Sequence, residues 1–274
     1  MNVPLGLAAI LLTGAFLTNS ACSPTLSHVE KSDSVDPDLI LDGPLRATGP
    51  LPPFTLDSEV RILPRPMSPV GMSSANLEKN TIAITIDDGP SAQYNDFVLQ
   101  TLRDHGVKAT FFMVGSNVNS HPEIVANVLR EGHSVGDHTW THPQMDKISS
   151  EQQIQEIDKT WAALMQISQK VGIPIQPFFR FPYGEGFKDP SLLKLLQARG
   201  LANFFWSMTT KDSQTQDPDV ALNTAVNQLD KYNHGIFLMH ETHVAGVKSL
   251  PYFLYELKKR NYKTVVFKAG PAPK

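Results

Sequence analysis

Three short strings hold residues that could bind a metal ion and use it to hydrolyse a bond. The chain reads TIDDGP at 85–90, HTWTH at 138–142 and RFPYG at 180–184. These strings supply two adjacent carboxylates, two histidines four positions apart and an arginine beside a tight turn. One carboxylate and two imidazoles can hold a divalent cation, and a neighbouring carboxylate can take a proton from the water bound to it. The residues therefore point to metal-assisted hydrolysis.

The aspartates and histidines also have an ordinary structural explanation. Asp-Asp-Gly is typical of a turn, and a His-x3-His pair can be two unrelated side chains. In a strand, the rings of His138 and His142 would lie roughly 13 Å apart, so they can share an ion only in a turn or a helix. A glycine before this pair and a proline after it favour a turn.

Two further places in the chain could take part in catalysis. In RFPYG, Arg180 could hold a carboxylate through a bidentate pair, and the Pro-Tyr-Gly bend could expose the backbone N–H of Tyr183. The alternative is a β-turn with a surface arginine. His240 ends an apolar run, where it could act as a general acid or be a core residue. We expect Glu241 and His243, which follow it, at the rim of a loop.

Apolar runs alternate with helical segments, which predicts an α/β fold with parallel strands, either a barrel or a doubly wound sheet. The chemically active side chains favour the barrel, because they follow the C-terminal ends of different runs, where α/β barrels build their sites. These side chains are Asp87, Asp88, His138, Tyr183 and His240. The predicted strands are 81–86, 108–114, 133–136, 177–181, 201–208, 235–239 and 262–267. Predicted helices are 91–105, 122–131, 150–171 and 248–261, with two more that begin at Pro190 and Pro218.

The charge pattern argues against a nucleic-acid-binding protein. The 274 residues include 24 basic and 27 acidic side chains, a formal net charge of −3, without a long run of either sign. With 41% hydrophobic residues, the chain can bury a substantial core.

The N-terminal region predicts export. The apolar stretch 3–17 is too short for a comfortable membrane span but has the length of a secretory signal. Cys22 is the one cysteine of the chain, which excludes a disulfide framework, and NSAC at 19–22 resembles the lipobox of bacterial lipoproteins. We therefore expect a lipid anchor at Cys22 and a location facing the periplasm or the cell surface. The alternative is an ordinary cleaved signal and a secreted protein.

The expected domain organisation has three parts. Residues 1–22 form the signal peptide of the lipoprotein type. Residues 23–78 are rich in proline and suit a tether or a strap lying on a domain. Residues 79–274 form the catalytic domain.

The three strings and LMH at 238–240, in this order and spacing, resemble the NodB-type polysaccharide deacetylases, also called carbohydrate esterase family 4. The resemblance covers about residues 80–268. It implies a distorted (β/α)7 barrel and a metal-dependent hydrolase. The implied reaction removes acetyl groups from N-acetylated or O-acetylated sugars of an extracytoplasmic polysaccharide, such as peptidoglycan, chitin-like oligomers or an exopolysaccharide.

The resemblance also implies a role for each matching residue. One divalent ion, usually Zn²⁺ with Co²⁺, Ni²⁺ or Mn²⁺ as alternatives, would be bound by Asp88, His138 and His142. Asp87 would be the base and Arg180 would orient it. The backbone N–H of Tyr183 would hold the oxyanion, His240 would protonate the leaving group, and Leu238 would line the acetyl pocket.

One part of the sequence departs from the family pattern. The fourth motif usually has an aspartate near a tryptophan, whereas here Asp212 is followed by Ser213. We expect Asp212 to tune His240, and Trp206 or Trp140 to replace the missing wall of the acetyl pocket. Three other functions stay open: an iron oxygenase with the same ligand set, an amidohydrolase acting on a small nitrogenous metabolite, and a non-catalytic envelope protein that binds glycans.

Overall fold

Nine strands and seven α-helices form the part of the chain that this computed structural model describes, residues 44–63 and 77–270. The strands are β1 (Ser58–Leu63), β2 (Thr81–Asp87), β3 (Thr110–Met113), β4 (Ser134–Asp137), β5 (Phe178–Phe179), β6 (Ala202–Asn203), β7 (Met208–Thr209), β8 (Gly235–His240) and β9 (Lys263–Ala269). The helices are α1 (Asn95–Asp104), α2 (Gly115–Ser120), α3 (Pro122–Arg130), α4 (Ser150–Val171), α5 (Pro190–Ala198), α6 (Pro218–Tyr232) and α7 (Val244–Lys259). The predicted export signal and Cys22 lie outside the described residues.

Seven of the strands follow one another around a barrel in the order β6, β5, β4, β3, β2, β8, β7, and every pair is parallel. Among the described residues, no ladder joins β6 to β7, so the barrel is open at that seam. β9 pairs with the first two residues of β2 and, on its other side, with β1. The predicted α/β barrel class is confirmed, and the open seam is its distortion.

The side chains of β2 explain how the barrel positions its polar groups. Ile82, Ile84 and Ile86 pack in the cluster between the sheet and the helices. Ala83 belongs to the interior cluster, and the two-residue period of a strand puts Thr85 and Asp87 on that same inner face. Phenylalanines fill the interior below them, and these are Phe112, Phe178, Phe204 and Phe267. Asp87 thus lies on top of a packed interior, at the C-terminal end of its strand.

The neighbouring strand β8 carries a matching inner face. Its register with β2 pairs Ile236 with Ala83, Leu238 with Thr85 and His240 with Asp87. His240 and Asp87 are therefore direct neighbours across two adjacent parallel strands.

The predicted strand 201–208 is wrong as a single element, because the chain forms two short strands there, β6 and β7. Between them, the rings of Phe205 and Trp206 stack on each other at 4.6 Å between centroids and pack against Gly184. The ring of Phe204, by contrast, stays inside the barrel.

The helix boundaries follow the capping signals closely where such signals exist. α4 covers 150–171 as predicted, with a capping box at Ser149 and Gln152 and a left-handed Gly172 at its end. α5 and α6 begin at prolines whose preceding residues, Asp189 and Asp217, accept backbone N–H groups. α7 begins four residues earlier than predicted, because its N-terminal turn lacks a side-chain cap that would mark it. The short helix α2 was not predicted.

Residues 44–63 run along the barrel and add β1 to its sheet, where the sequence pattern predicts no strand. Leu56 N–H donates to the His105 carbonyl at 3.0 Å, and the Tyr252 hydroxyl donates to the Gly49 carbonyl at 2.8 Å. The assignment of residues 23–78 to a tether or strap stays a prediction. Within the described ranges, none of the helices has the length and apolar character needed to span a membrane.

Candidate active site

The chain turns sharply where β2 ends, and this turn separates the two aspartates. Asp87 is the last residue of the strand and is buried inside the barrel, whereas Asp88 has a left-handed backbone with φ 69°. Asn117 donates its side-chain N–H to the Asp88 carbonyl at 3.0 Å. Because of this turn, the Asp88 carboxylate faces the HTWTH string, while Asp87 faces the barrel interior.

The HTWTH string is a turn that brings its two histidines together. Thr139 and His142 both have left-handed backbone angles, φ 66° and φ 59°. Such angles cost about 1–3 kcal/mol each for residues other than glycine. The Nε2 atoms of His138 and His142 lie 3.4 and 3.3 Å from Oδ1 of Asp88. The sequence left a turn or a helix open, and the structure has the turn.

Asp88, His138 and His142 fit a metal ion. Their three ligand atoms lie within 4.8 Å of one another. Oδ1 of Asp88 is buried and has no hydrogen-bond partner among the residues that the structure describes, which is costly for a carboxylate unless a cation is bound there. Nδ1 of His138 lies 2.8 Å from the carbonyl of Arg180, which fixes the proton on Nδ1 and leaves Nε2 free to bind. One oxygen and two imidazole nitrogens are a usual donor set for Zn²⁺ with an open position.

The charge states of these groups also suit a cation. Burial by itself would raise the pKa of Asp88, but its interactions with His138, His240 and His142 outweigh this and hold the pKa below its usual range. Burial and the nearby charge of His138 lower the pKa of His142, which favours the neutral imidazole that metal binding requires.

Arg180 is fully buried, so the alternative of a surface arginine is wrong. Its Nη1 donates to Oδ1 of Asp87 at 2.7 Å and to the hydroxyl of Thr85 at 2.8 Å. Its Nε donates to the Phe204 carbonyl at 3.2 Å, and Nη2 has no partner within residues 44–63 and 77–270. The expected bidentate pair is therefore wrong as well, because only one guanidinium nitrogen contacts Asp87. The guanidinium is instead shared among three acceptors, the Asp87 carboxylate, the Thr85 hydroxyl and the Phe204 carbonyl.

Tyr183 lies in the predicted bend next to the histidines. Pro182–Gly184 form a short 3-10 turn in which Tyr183 has φ 59°. The tyrosine ring is 61% exposed and meets the His142 ring edge-on, with centroids 4.6 Å apart. The bend therefore borders the candidate metal site directly.

His240 is held by Asp212, a residue from the turn after β7. Oδ1 of Asp212 lies 2.7 Å from Nδ1 of His240, and Oδ2 accepts the backbone N–H of His240 at 2.8 Å. Burial lowers the pKa of His240, but the hydrogen bond and charge of Asp212, with the charges of Asp88 and Asp87, raise it to about 9. The His240 imidazole is therefore protonated at neutral pH and can donate a proton.

The three residues expected to line the acetyl pocket have different surroundings from one another. Leu238 is buried on the inner face of β8, one layer below His240. Trp206 packs against Gly184, and its ring lies 5.7 Å from the Arg180 guanidinium. The Trp140 ring instead lies under Nζ of Lys159 at 3.9 Å, on the side of α4. The structure thus brings Leu238 and Trp206 to the site region, whereas the contacts of Trp140 lead to α4.

Glu241 was expected at a loop rim, and this is wrong because its side chain is fully buried. Oε1 accepts the side-chain N–H of Asn95 at 2.5 Å, and the backbone N–H of Glu241 donates to the Asp87 carbonyl at 2.9 Å. Its side chain fills the space that a Cβ would need at Gly89. Glu241 therefore supports the Asp-Asp-Gly turn from beneath. Nothing in the LMHE string indicates this, since the partners lie about 150 residues away in the chain.

Several known proteins resemble this chain. The polysaccharide deacetylase family profile matches residues 74–204. The peptidoglycan-N-acetylglucosamine deacetylase PgdA of Listeria monocytogenes is 34% identical over 205 residues, 75% of this chain and 41% of that protein. A peptidoglycan-N-acetylglucosamine deacetylase of Bacillus cereus is 30% identical over 196 residues, 70% of this chain and 68% of that protein. A solved peptidoglycan deacetylase of Bdellovibrio bacteriovorus has a TM-score of 0.72 at 26% identity, covering 83% of this chain and 63% of the other.

The chain spans about two fifths of the length of the Listeria relative. The matched stretch begins before β2 and ends after β6, and it contains the Asp-Asp, His-x3-His and Arg-Phe-Pro-Tyr-Gly strings. From the order of these strings, their placement on the strand ends and the matches to relatives, we conclude that the chain belongs to the polysaccharide deacetylase family.

Proposed function

We propose that the protein is a metal-dependent hydrolase that removes acetyl groups from N-acetylated sugars of an extracytoplasmic polysaccharide, with peptidoglycan as the first candidate. One observation carries the proposal. A buried carboxylate oxygen of Asp88, which has no hydrogen-bond partner in the described part of the chain, lies within 3.4 Å of the Nε2 atoms of His138 and His142. A second carboxylate and a protonated histidine lie beside it. A protein that only binds glycans has no need of a base, an acid and three ligands together.

Asp88, His138 and His142 would hold the ion, which supplies Lewis acidity to the acetyl carbonyl and makes water acidic enough to react near neutral pH. Asp87 is the proposed base that takes the proton from that water. Its Oδ1 is held by Arg180 at 2.7 Å, which fixes the direction of the carboxylate.

The leaving group requires a proton on the other side of the acetyl carbon. His240 is the proposed acid, because Asp212 keeps the imidazole protonated and fixes the ring. An amine expelled without a proton is a very poor leaving group, so this donor is as necessary as the base. The backbone N–H of Tyr183 is the proposed donor to the developing oxyanion.

The donor set favours Zn²⁺, and Co²⁺, Ni²⁺ or Mn²⁺ are the alternatives to test. The iron oxygenase alternative has the same ligands but leaves Asp87, Arg180 and His240 without a function.

Leu238 and Trp206 are the proposed walls of the acetyl pocket. O-acetyl groups are a second possible substrate for the same chemistry.

The relatives support a cell-wall glycan, since the two curated proteins and the solved structure compared above all carry peptidoglycan deacetylase names. The amidohydrolase alternative fits the same site, but the predicted export signal argues against a small cytoplasmic metabolite.

Export and a lipid anchor at Cys22 are part of the proposal. We expect Cys22→Ser to release the protein from membranes, and unchanged fractionation would refute the anchor.

The central experiment measures acetate release from peptidoglycan, chitooligosaccharides and acetylated xylan, together with elemental analysis of the purified protein. We expect about one equivalent of a divalent metal per chain, acetate release from at least one N-acetylated glycan, and loss of that release with a chelator. Asp87→Asn is the matched inactive control. Acetate release from none of the glycans, with metal bound, would favour the amidohydrolase or the glycan-binding alternative.

A further inference from the structure

The turn that joins His138 to His142 needs support from outside itself. Thr139 is β-branched and has φ 66°, a backbone region that such residues rarely adopt. Within the turn and the preceding strand, Oδ1 of Asp137 accepts the Thr139 N–H at 2.7 Å, and the Thr139 hydroxyl accepts the His142 N–H at 3.1 Å. The backbone N–H groups of Gly115 and Ser116 donate to the carbonyls of Thr139 and Trp140 at 2.8 and 3.0 Å. None of these bonds engages the N–H groups of the two middle residues, Trp140 and Thr141.

Glu156 of α4 holds those middle residues. Its Oε2 accepts the backbone N–H of Trp140 at 2.8 Å and that of Thr141 at 2.7 Å, and its Oε1 accepts the Thr141 hydroxyl at 2.8 Å. All three distances are those of hydrogen bonds to a charged acceptor. Glu156 is half-buried, and the helix that carries it is anchored by buried Ile157 and Thr160. A rigid helix thus holds both central N–H groups of the turn through a single carboxylate.

The two histidines depend on this carboxylate to different degrees. His138 directly follows β4, and its ring is held by the Arg180 carbonyl at 2.8 Å. His142 lies at the far end of the turn, where its backbone N–H donates to the Thr139 hydroxyl. Its ring meets the rings of Tyr183 and His138, and its Nε2 lies 3.3 Å from Oδ1 of Asp88. If the turn relaxes from its left-handed angles, His142 moves away from Asp88 first.

We propose that Glu156 is a positioning residue of the metal site, which holds His142 in its ligating place before a metal ion binds. This inference rests on the proposed function, in that Asp88, His138 and His142 are taken as the ligands. Glu156 contacts none of the three, so it acts through the backbone that carries His142. Groups that orient metal ligands typically contribute a 10- to 100-fold factor in metal affinity.

The chemistry of the three contacts provides a conservative variant. In Glu156→Gln, the amide oxygen can accept both backbone N–H groups, and the amide N–H can donate to the Thr141 hydroxyl, which also accepts hydrogen bonds. Glu156→Ala removes all three contacts. Thr141→Val removes only the hydroxyl contact and leaves the two backbone bonds.

The test is zinc affinity of the full chain, measured by competition with a chromophoric chelator, with circular dichroism and thermal unfolding of each variant. We expect Glu156→Ala to weaken zinc binding by about 10- to 100-fold while the folded state persists, and Glu156→Gln and Thr141→Val to stay close to wild type. Gln155→Ala, an exposed neighbour on α4, is the control and should bind as wild type does. Should Glu156→Ala not fold, Glu156→Asp tests the same point, because its shorter side chain cannot reach the turn; we expect weaker binding than in Glu156→Gln.

The outcomes separate this inference from the proposed function. Wild-type affinity in folded Glu156→Ala, with His142→Ala impaired, overturns the positioning role and leaves the metal site intact. Equal losses in Glu156→Gln and Glu156→Ala also overturn it, since the hydrogen bonds would then not be the cause. A wild-type chain that binds no zinc, or binds it as tightly after His142→Ala, overturns the metal site itself and the inference with it.

Discussion

The carboxylate of Asp212 contacts His240 at two points, the ring Nδ1 at 2.7 Å and the backbone N–H at 2.8 Å. A residue that binds both the ring and the backbone of its partner fixes the direction of the imidazole as well as its charge. Nδ1 is occupied by Asp212, so Nε2 is the nitrogen left to face a substrate. The proposed acid is therefore oriented before any glycan binds.

Asp212→Asn should shift the alkaline side of the pH–rate profile. Burial lowers the pKa of His240, but Asp212, together with the charges of Asp88 and Asp87, raises it to about 9, so the wild-type acid stays protonated until the pH approaches that value. Without the charge of Asp212 the pKa falls, and activity is lost at a lower pH. The measurement is kcat/KM against pH at saturating zinc, with Asp230→Asn, on the far end of α6, as control. An alkaline limb that does not move in Asp212→Asn would contradict the assignment.

Gly246→Ala should reverse the usual preference of a helix for alanine. In a helix interior, alanine is normally more stable than glycine by about 1 kcal/mol. Gly246 lies in α7, however, and an added Cβ would collide with the carboxylate of Asp212. We expect a loss of about 1–3 kcal/mol in the free energy of unfolding and a lower pKa of His240. Chemical denaturation and the pH–rate profile measure the two effects, and a stabilised Gly246→Ala would show that the contact does not matter. Lys248→Ala, exposed on the same helix, is the control.

Asp87→Asn and His138→Ala should separate catalysis from metal binding. Asp87→Asn leaves the three ligands in place, so zinc is retained while kcat falls by about 10²–10⁴-fold for loss of a general base. His138→Ala removes a ligand and should lose both zinc and activity. Elemental analysis and acetate release check the pair. Full activity in Asp87→Asn would reject Asp87 as the base.

Leu238→Ala should relax selectivity for the acyl group. Leu238 is buried one layer below His240, where we place the methyl of the acetyl group. One methylene in a hydrophobic pocket is worth about 1–3 kcal/mol, roughly 10- to 200-fold in kcat/KM. We expect the preference for acetyl over propionyl glucosamine oligomers to shrink by a factor in that range. An unchanged preference would place the acyl group elsewhere.

Trp206→Ala and Trp140→Ala should differ in their effect on catalysis. Trp206 packs on the Gly184 bend near Arg180, so its loss should lower kcat/KM. Trp140 is covered by Lys159 of α4, and its truncation should mainly reduce stability. Steady-state kinetics and thermal unfolding of both variants make the comparison. A larger loss of kcat/KM in Trp140→Ala than in Trp206→Ala would indicate that Trp140, and not Trp206, lines the acetyl pocket.

The sequence predicts the α/β barrel and the meeting of the motifs, because strand periodicity and the C-terminal ends of strands are local features. It cannot predict that Arg180 bonds Asp87 through one nitrogen, since the other acceptors of the guanidinium, the Thr85 hydroxyl and the Phe204 carbonyl, come from distant parts of the chain. The supporting roles of Glu241 and Glu156 cannot be predicted from the sequence either. Each is one acidic residue in a sequence with many, and each acquires its partners only when distant elements are packed together.

Asp87 pairs with His240 across β2 and β8, so the distance between the two proposed proton-transfer groups is set by the spacing of adjacent strands in the sheet. Loops around the rim can lengthen, shorten or change composition during evolution without altering that interval. Specificity for new glycans can therefore evolve through the rim loops while the spacing between the proposed base and the proposed acid stays the same.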